Sequence, residues 1–314
     1  MKNKILILFI VMFAMPGISQ AQGRIMNAME GQTSARNAGM GNAMMGNSSE
    51  MFLYDNLAAF SFSNRKFDAG VSTEIYPNSE VGRLRQYNLS SAYKFSGDRA
   101  VMAGFRYLGG TSIPAFNRND DGRMIKPYEW TIDVGYSFFV IKNVVAYVSS
   151  SFFKSSVGNC NAHGVAFSAG MAYNKDLKLF KKKSLLNVGV RLMDVGKSVK
   201  FSEKGLSYDL PTSVVMGGEL ETELCNGHSL AYALSGRYFT TKEAHELLIG
   251  TGAEYSFKKM LFARVGYQYC REAADQLTMG IGAKYKRFKL NIAYGHAFSD
   301  YGVDRMTVSL GVEF

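Results

Sequence analysis

The chain has 314 residues, 36 Lys and Arg against 26 Asp and Glu, a formal charge of +10, 47% apolar and 13% aromatic residues, and three cysteines. A basic surplus of this kind suits nucleic acid, but the export signal at the start of the chain removes that partner and leaves anionic lipopolysaccharide or acidic solutes as counterparts. Cys160, Cys225 and Cys270 are odd in number and widely spaced, which excludes the disulfide framework of a small stapled domain.

Taken from the beginning, Lys2 and Lys4 precede an apolar run from Ile5 to Met15, followed by Pro16, Gly17, Ser19 and Ala21. This is the pattern of a secretory signal peptide over residues 1–21, cut after Ala21. A permanent anchor helix needs roughly 20 apolar residues, and the run is too short for one. No Cys follows it, so no lipid anchor is expected, and the charge falls to +8 once Lys2 and Lys4 leave.

Residues 22–65 show no alternation. They are rich in small residues, as in Ala35, Gly39, Gly41 and Ala43. Small side chains let backbones approach closely, so this stretch reads as a hatch folded against the inside of a barrel wall, with Gly39, Gly41 and Asn56 as candidate residues. A flexible tail is the plain alternative.

From residue 66 to 314 the chain breaks into segments of about ten residues, rich in Val, Ile, Tyr, Phe and Gly and separated by turn residues. The expected strands are 66–76, 86–96, 99–108, 127–139, 143–153, 162–174, 184–193, 210–222, 228–239, 245–257, 260–270, 275–286, 287–298 and 304–314. At the end of the chain Met306, Val308, Leu310, Val312 and Phe314 share one face, and Arg305, Thr307, Ser309, Gly311 and Glu313 the other. Trp130, Ile132, Val134, Tyr136 and Phe138 stand likewise against Thr131, Asp133, Gly135 and Ser137. Leu261, Ala263, Val265, Tyr267 and Tyr269 stand against Arg264, Gly266 and Gln268. A soluble sandwich also alternates. Three features favour an all-β transmembrane antiparallel barrel of about 14 strands in the outer membrane of a Gram-negative bacterium. The last strand ends on Phe314, the terminal aromatic that barrel-assembly machinery reads. Aromatic residues gather at strand ends, as interfacial girdles do. Connections are tight at 97–98, 142, 258–259 and 286–287 but long at 109–126, 154–161 and 194–209, as periplasmic turns and outer loops differ. The Lys175 to Lys183 stretch departs from this rule, being a long turn on the periplasmic side. It reads either as a solvated turn or as a docking site for a periplasmic partner.

Sites of chemistry are not expected. Glycines 250, 252, 280 and 282 resemble phosphate loops only briefly, since none opens a helix after a strand, and they fit better as relief of crowding on the lumenal face. His163, His228, His245 and His296 lack second ligands at metal spacing, so neither a metal nor a cofactor is expected. No His-x-Ser occurs of the kind used by outer-membrane acyl hydrolases, and His296, Ser299 and Asp300 are near only in sequence. The chain reads as a non-enzyme.

Several motifs together resemble a known family. They are Ala35 to Ala43 (ARNAGMGNA), Leu53 to Ala59 (LYDNLAA), Asn187-Val188-Gly189, Leu210-Pro211-Thr212 with Gly217-Gly218, Gly252 to Tyr255, Ala263 to Tyr267, and Gly280 to Tyr285. In order and spacing they are similar to the PorV/PorQ group of Bacteroidota outer-membrane proteins, within the wider FadL-like barrels. The resemblance implies a fourteen-stranded barrel with an amino-terminal hatch and a part in type IX secretion, as cargo shuttle or surface anchor. It implies type IX components or cargo signal domains as partners, met by the loops 109–126 and 194–209. Leu57 stands where the family usually has Pro, so the hatch turn is expected to differ in shape. The rival expectation is a FadL-like channel for small hydrophobic molecules, which calls for an apolar lumen pocket and a lateral gap in the wall.

Overall fold

The computed structural model of the protein describes residues 24–114, 124–179, 181–201, 207–241, 245–299 and 302–314. The signal peptide expected over 1–21 lies outside them, as do residues 115–123 and 202–206 of the two long loops and Asp300.

Three short helices come first: α1 (Asn27–Glu30), α2 (Ala35–Ala38) and α3 (Leu57–Phe62). The strands follow as β1 (Phe67–Ser79), β2 (Gly82–Ser96), β3 (Arg99–Thr111), β4 (Ile113–Pro114), β5 (Met124–Ile125), β6 (Tyr128–Ile141), β7 (Val144–Val157), β8 (Cys160–Leu179) and β9 (Lys182–Gly196). After them come β10 (Val199–Lys200), β11 (Ser207–Tyr208), β12 (Ser213–Cys225), β13 (His228–Phe239), β14 (Glu246–Phe257), β15 (Leu261–Cys270), β16 (Gln276–Tyr285), β17 (Phe288–Ala297) and β18 (Arg305–Glu313).

Fourteen of these strands close into one antiparallel barrel, in which neighbours in the wall are neighbours in sequence and β18 returns to β1 through rungs such as Val71↔Leu310. Closure removes the unpaired edges that an open sheet would present to lipid. The remaining four strands form two small ribbons, β4 with β5 and β10 with β11, in the two long loops.

The expected alternation sorts the wall. On β6, Ile132, Val134 and Phe138 face outward while Thr131, Asp133 and Ser137 are buried inside. On β15, Leu261, Val265, Tyr267 and Tyr269 face outward while Arg264 and Gln268 are buried. A lipid-facing apolar surface and a polar lumen are what a barrel in a bilayer needs.

Two connections differ from expectation. Residues 154–161 are no long loop, because the β7–β8 ladder runs to Val157↔Cys160 and Gly158 turns the chain at φ +63°. The lysine stretch is no long turn either, since β8 and β9 pair out to Leu179↔Lys182. In both stretches the regular apolar-polar contrast that marks a strand disappears, at the serines 155 and 156 and at the lysines from 175.

The chain from Arg24 to Arg65 runs inside the barrel. At the periplasmic end Phe52, Leu53, Leu57, Ala58 and Phe60 form a core with Ala92, Met102, Val145 and Tyr147 of the wall. Burying each large side chain there contributes about 1.5–3 kcal/mol. At the other end Ile25, Met26 and Met29 pack with Phe153, Ala166 and Leu210, and Val199, Phe201 and Tyr208 cover them. The loop 194–209 thus spends part of its surface on the hatch rather than offering all of it outward.

Candidate functional site

Between the two apolar cores the hatch meets the wall through charge. Ser34 caps α2 by accepting the Asn37 amide at 3.4 Å, which brings Arg36 into the lumen in the first turn. Arg36 donates to Glu219 of β12 at 2.9 Å and, through two nitrogens, to Glu254 of β14 at 3.0 and 3.1 Å. It also donates to the Ser48 carbonyl at 2.9 Å. Arg264 of β15 approaches Glu254 at 2.5 Å and reaches Asn291 of β17 at 3.0 Å. All four charges are buried, and each has an opposite partner, the condition under which buried ions are tolerated. Burial penalises the Arg36 charge, but attraction by Glu219 and Glu254 outweighs it and holds the guanidinium's pKa above its ordinary value.

Beside this network the backbones touch. Gly41 has φ +66°, and a Cβ there would lie 2.4 Å from the Thr251 and Tyr267 carbonyl oxygens. The wall answers with its own glycines: a Cβ on Gly266 would sit 2.1 Å from the Gly41 nitrogen, and one on Gly252 would sit 2.5 Å from Met40 Cα. The lumenal glycines therefore relieve crowding, as the sequence suggested. Gly39 is less confined, its Cβ position lying 3.1 Å from Gly280 Cα. Asn56 is fully buried and donates to the Gly46 carbonyl at 3.0 Å, tying one turn of the hatch to another. Leu57 takes the first position of α3, where Pro is favoured because the amide lacks a helical partner in any case, so this turn accommodates either residue.

Toward the outer rim lies a cavity of about 430 Å³ between hatch and wall. Arg106, Asp133, Arg191, Asp194, Arg237 and Glu246 are among its lining. Arg106 pairs with Asp133 at 2.8 Å, and Tyr54 of the hatch donates to Asp133 at 2.9 Å. Arg191 donates to the Tyr54 carbonyl at 2.9 Å and the Leu53 carbonyl at 3.3 Å, clasping the hatch backbone. Asp194 sits on a β9 bulge at φ +56°, its amide donated to Ser168 at 3.0 Å. Asp55, facing Arg36, Asn37, Ser49 and Glu219, has its carboxyl pushed up to about 6 by burial.

The wall around this site is continuous, every adjacent pair of barrel strands being laddered with only local register shifts. Such a lumen can hold a polar plug in one register. Its lining is mixed, the paired guanidinium and carboxylate groups standing beside Leu53, Leu108, Met193, Phe239 and Leu248.

Of the residues singled out in the sequence, Gly39 and Gly41 lie against the wall at Gly280 and at Thr251 and Tyr267, while Asn56 is buried elsewhere in the hatch against Gly46. Phe314 is elsewhere, at the periplasmic rim, its ring facing outward 6.0 Å from Phe67 and beneath the Arg287 guanidinium at 4.5 Å. His296 pairs with Asp304 at 3.1 Å on the exposed rim, and no group of three metal-ligating side chains occurs among the described residues. Sequence reasoning missed Arg36, Glu219, Glu254 and Arg264. Their signal was present as charges on otherwise small or polar lumenal faces, including an Arg amid Ala and Gly.

A family model described as type IX secretion system protein PorV matches residues 27–237. No curated protein matches the chain. Among solved structures, the CymD monoaromatic hydrocarbon channel superposes with a TM-score of 0.63 at 13% identity, covering 90% of this chain and 97% of that one. The Pseudomonas putida toluene transporter TodX gives 0.60 at 13% identity over 89% and 97%. A Pseudomonas aeruginosa FadL homologue gives 0.52 at 11% identity over 93% and 99%. At these identities the likeness is one of fold.

Proposed function

The chain belongs to the PorV family of type IX secretion system proteins, and from that premise we propose that it works in type IX secretion as an outer-membrane barrel that carries cargo or anchors a surface partner. The observation that carries this reading is the family match over residues 27–237 on a barrel whose lumen holds a charged, hydrogen-bonded hatch. With the interior occupied, contact falls to the outer rim. There Met124 of the β4–β5 ribbon and Val157 at the end of β7 expose apolar side chains. The role is one of binding and release, and no catalytic residue is assigned.

Gly39, Gly41 and Asn56 act in this reading by seating the hatch, and Phe314 by presenting the last strand to the assembly machinery. Lipopolysaccharide and cargo signal domains are the partners proposed for the outer face. The FadL-like channel reading draws on the fold of the hydrocarbon channels, but the family match and the continuous, laddered wall speak for the secretion role.

The test is an affinity pull-down of the tagged protein from native outer membranes in mild detergent, with bound proteins identified by mass spectrometry. Type IX components or proteins carrying the system's carboxyl-terminal signal domain are the expected catch. Their absence, with a lipid or hydrophobic solute bound instead, overturns the reading in favour of a channel.

A further inference from the structure

One hairpin outgrows the wall. The β7–β8 ladder ends at Val144↔Tyr173, with the Asn174 amide donated to the Asn143 carbonyl at 2.9 Å as its last bond. On the other side the β9–β12 ladder ends at Ser184↔Thr222. From Lys175 on, β8 has no strand on its β7 side, and past Ser184 β8 and β9 continue with each other alone, through Lys178↔Lys183 and Leu179↔Lys182. By strand parity this extension stands on the rim of the two-residue turns, which in bacterial barrels faces the periplasm.

Two properties of the extension converge. First, Lys175–Leu179 has no neighbour on its β7 side, so it is a free edge. Because the Asn174 amide points toward β7, the two-residue alternation turns the amides of Asp176 and Lys178 the same way, into open space. Second, the edge is set in uncompensated positive charge: Lys175, Lys178, Lys181 and Lys183 are exposed, with no ion pair to a carboxylate among the described residues, and Asp176 is the one acid among them. Lys178 lies directly opposite Lys183, a like-charge pair that weakens a hairpin. Lys181 turns the hairpin at φ +64°, as Lys258, Lys259 and Lys286 do in other turns of this rim, so the feature that sets this hairpin apart is its unpaired, lysine-rich length beyond the wall.

We propose that this extension is a docking site for an acidic, extended polypeptide segment of a periplasmic partner, which adds as a strand to the free edge of β8. Main-chain bonds to the Asp176 and Lys178 amides would supply affinity, and the lysines would select acidic side chains. Leu177 and Leu179, half-buried, share one face of the edge strand with Lys175, while Lys178 and Asp176 share the other, so the fitting sequence alternates apolar residues with acidic ones that meet Lys178 and Lys183. The proposal needs only the barrel and its orientation and goes beyond the secretion role.

The probe is a short fluorescent peptide alternating glutamate and valine, titrated against the full-length protein in detergent micelles. Fluorescence anisotropy reads the affinity. Expected are binding that weakens as salt rises, new exchange protection at the Asp176 and Lys178 amides, and affinity about tenfold weaker in Lys178→Pro, which removes an outward amide. A combined Lys178→Gln, Lys181→Asn, Lys183→Gln variant should weaken it similarly. Heat-modifiable gel migration checks that each variant keeps its barrel, which the hairpin extension lies outside. Three results would overturn the proposal. One is an intact wild-type barrel that does not bind the peptide. Another is equal binding of a lysine-valine peptide. The third is loss of affinity with the glutamine and asparagine substitutions but none with proline, which would make the hairpin a diffuse cationic surface for anionic headgroups.

Discussion

Arg36 and Glu254, 218 residues apart in the chain, meet through a two-toothed pairing at 3.0 and 3.1 Å inside the barrel. Bidentate geometry of this kind fixes orientation as well as distance. Because Glu254 is also held by Arg264 and Arg36 also holds Glu219, the pair is the joint between the hatch and three strands of the wall.

Arg36→Ala should therefore loosen the hatch without opening the barrel. It leaves Glu219 buried without its guanidinium, a loss of about 3–5 kcal/mol in hatch seating. Arg36→Lys should recover only part, since an ammonium cannot engage two oxygens of Glu254 and one of Glu219 in the same plane. Hydrogen exchange over residues 34–50 checks this, with unchanged heat-modifiable migration showing an intact wall.

Gly41→Ala should displace the same segment by steric means. The added methyl would meet two wall carbonyl oxygens at 2.4 Å at a φ of +66°. Gly39→Ala, facing Gly280 at 3.1 Å, should be the milder change by at least about 1 kcal/mol. Protease sensitivity of the hatch in the two variants, compared side by side, tests the ranking.

Seating should also depend on pH through Asp55. Its carboxyl is raised by burial to about 6 from 3.8, so the folded hatch prefers it protonated. The sign follows directly: stability is greatest below the unfolded pKa, falls as pH rises from about 4 through 6, and stays low above. The full span is worth up to about 3 kcal/mol. Exchange protection of residues 50–60 should thus be higher at pH 5 than at pH 7.5, and Asp55→Asn should flatten the difference. An unaltered pH profile in that variant would assign the dependence to another group.

On the outer wall, Val134→Arg should destabilise the inserted barrel by about 2–4 kcal/mol, because the side chain faces the hydrocarbon from the middle of β6. Urea unfolding in lipid vesicles measures it, with Ser137→Thr, a lumenal change on the same strand, as the comparison.

The barrel was legible in the sequence because lipid and water impose opposite demands on successive residues. The strands around Trp130 to Phe138 and Met306 to Phe314 carry that contrast without interruption. Where the contrast ceased, so did legibility. Ser155 and Ser156 looked like loop and belong to β7, and Lys175 to Leu179 looked like a turn and belong to β8. The hatch was visible as a small-residue stretch, and Gly39 and Gly41 lie where it touches the wall, with Asn56 buried at another turn of it. The ion network was hidden for a different reason. Arg36, Glu219, Glu254 and Arg264 lie on four elements whose closeness is a property of closure, and no local pattern records it.

The path of the hatch also constrains the order of events during assembly. Arg65 stands at the periplasmic rim beside Asp68 and Glu313, while Ile25 shares a core with Leu210 and Phe153 at the far end. Gly41 and Gly266 approach so closely midway that no side chain fits between them. Drawing some forty residues up a finished cylinder past contacts this tight would be slow, whereas wrapping the segment while the seam between β1 and β18 is still unzipped would use the plug as the mandrel on which the barrel is wound.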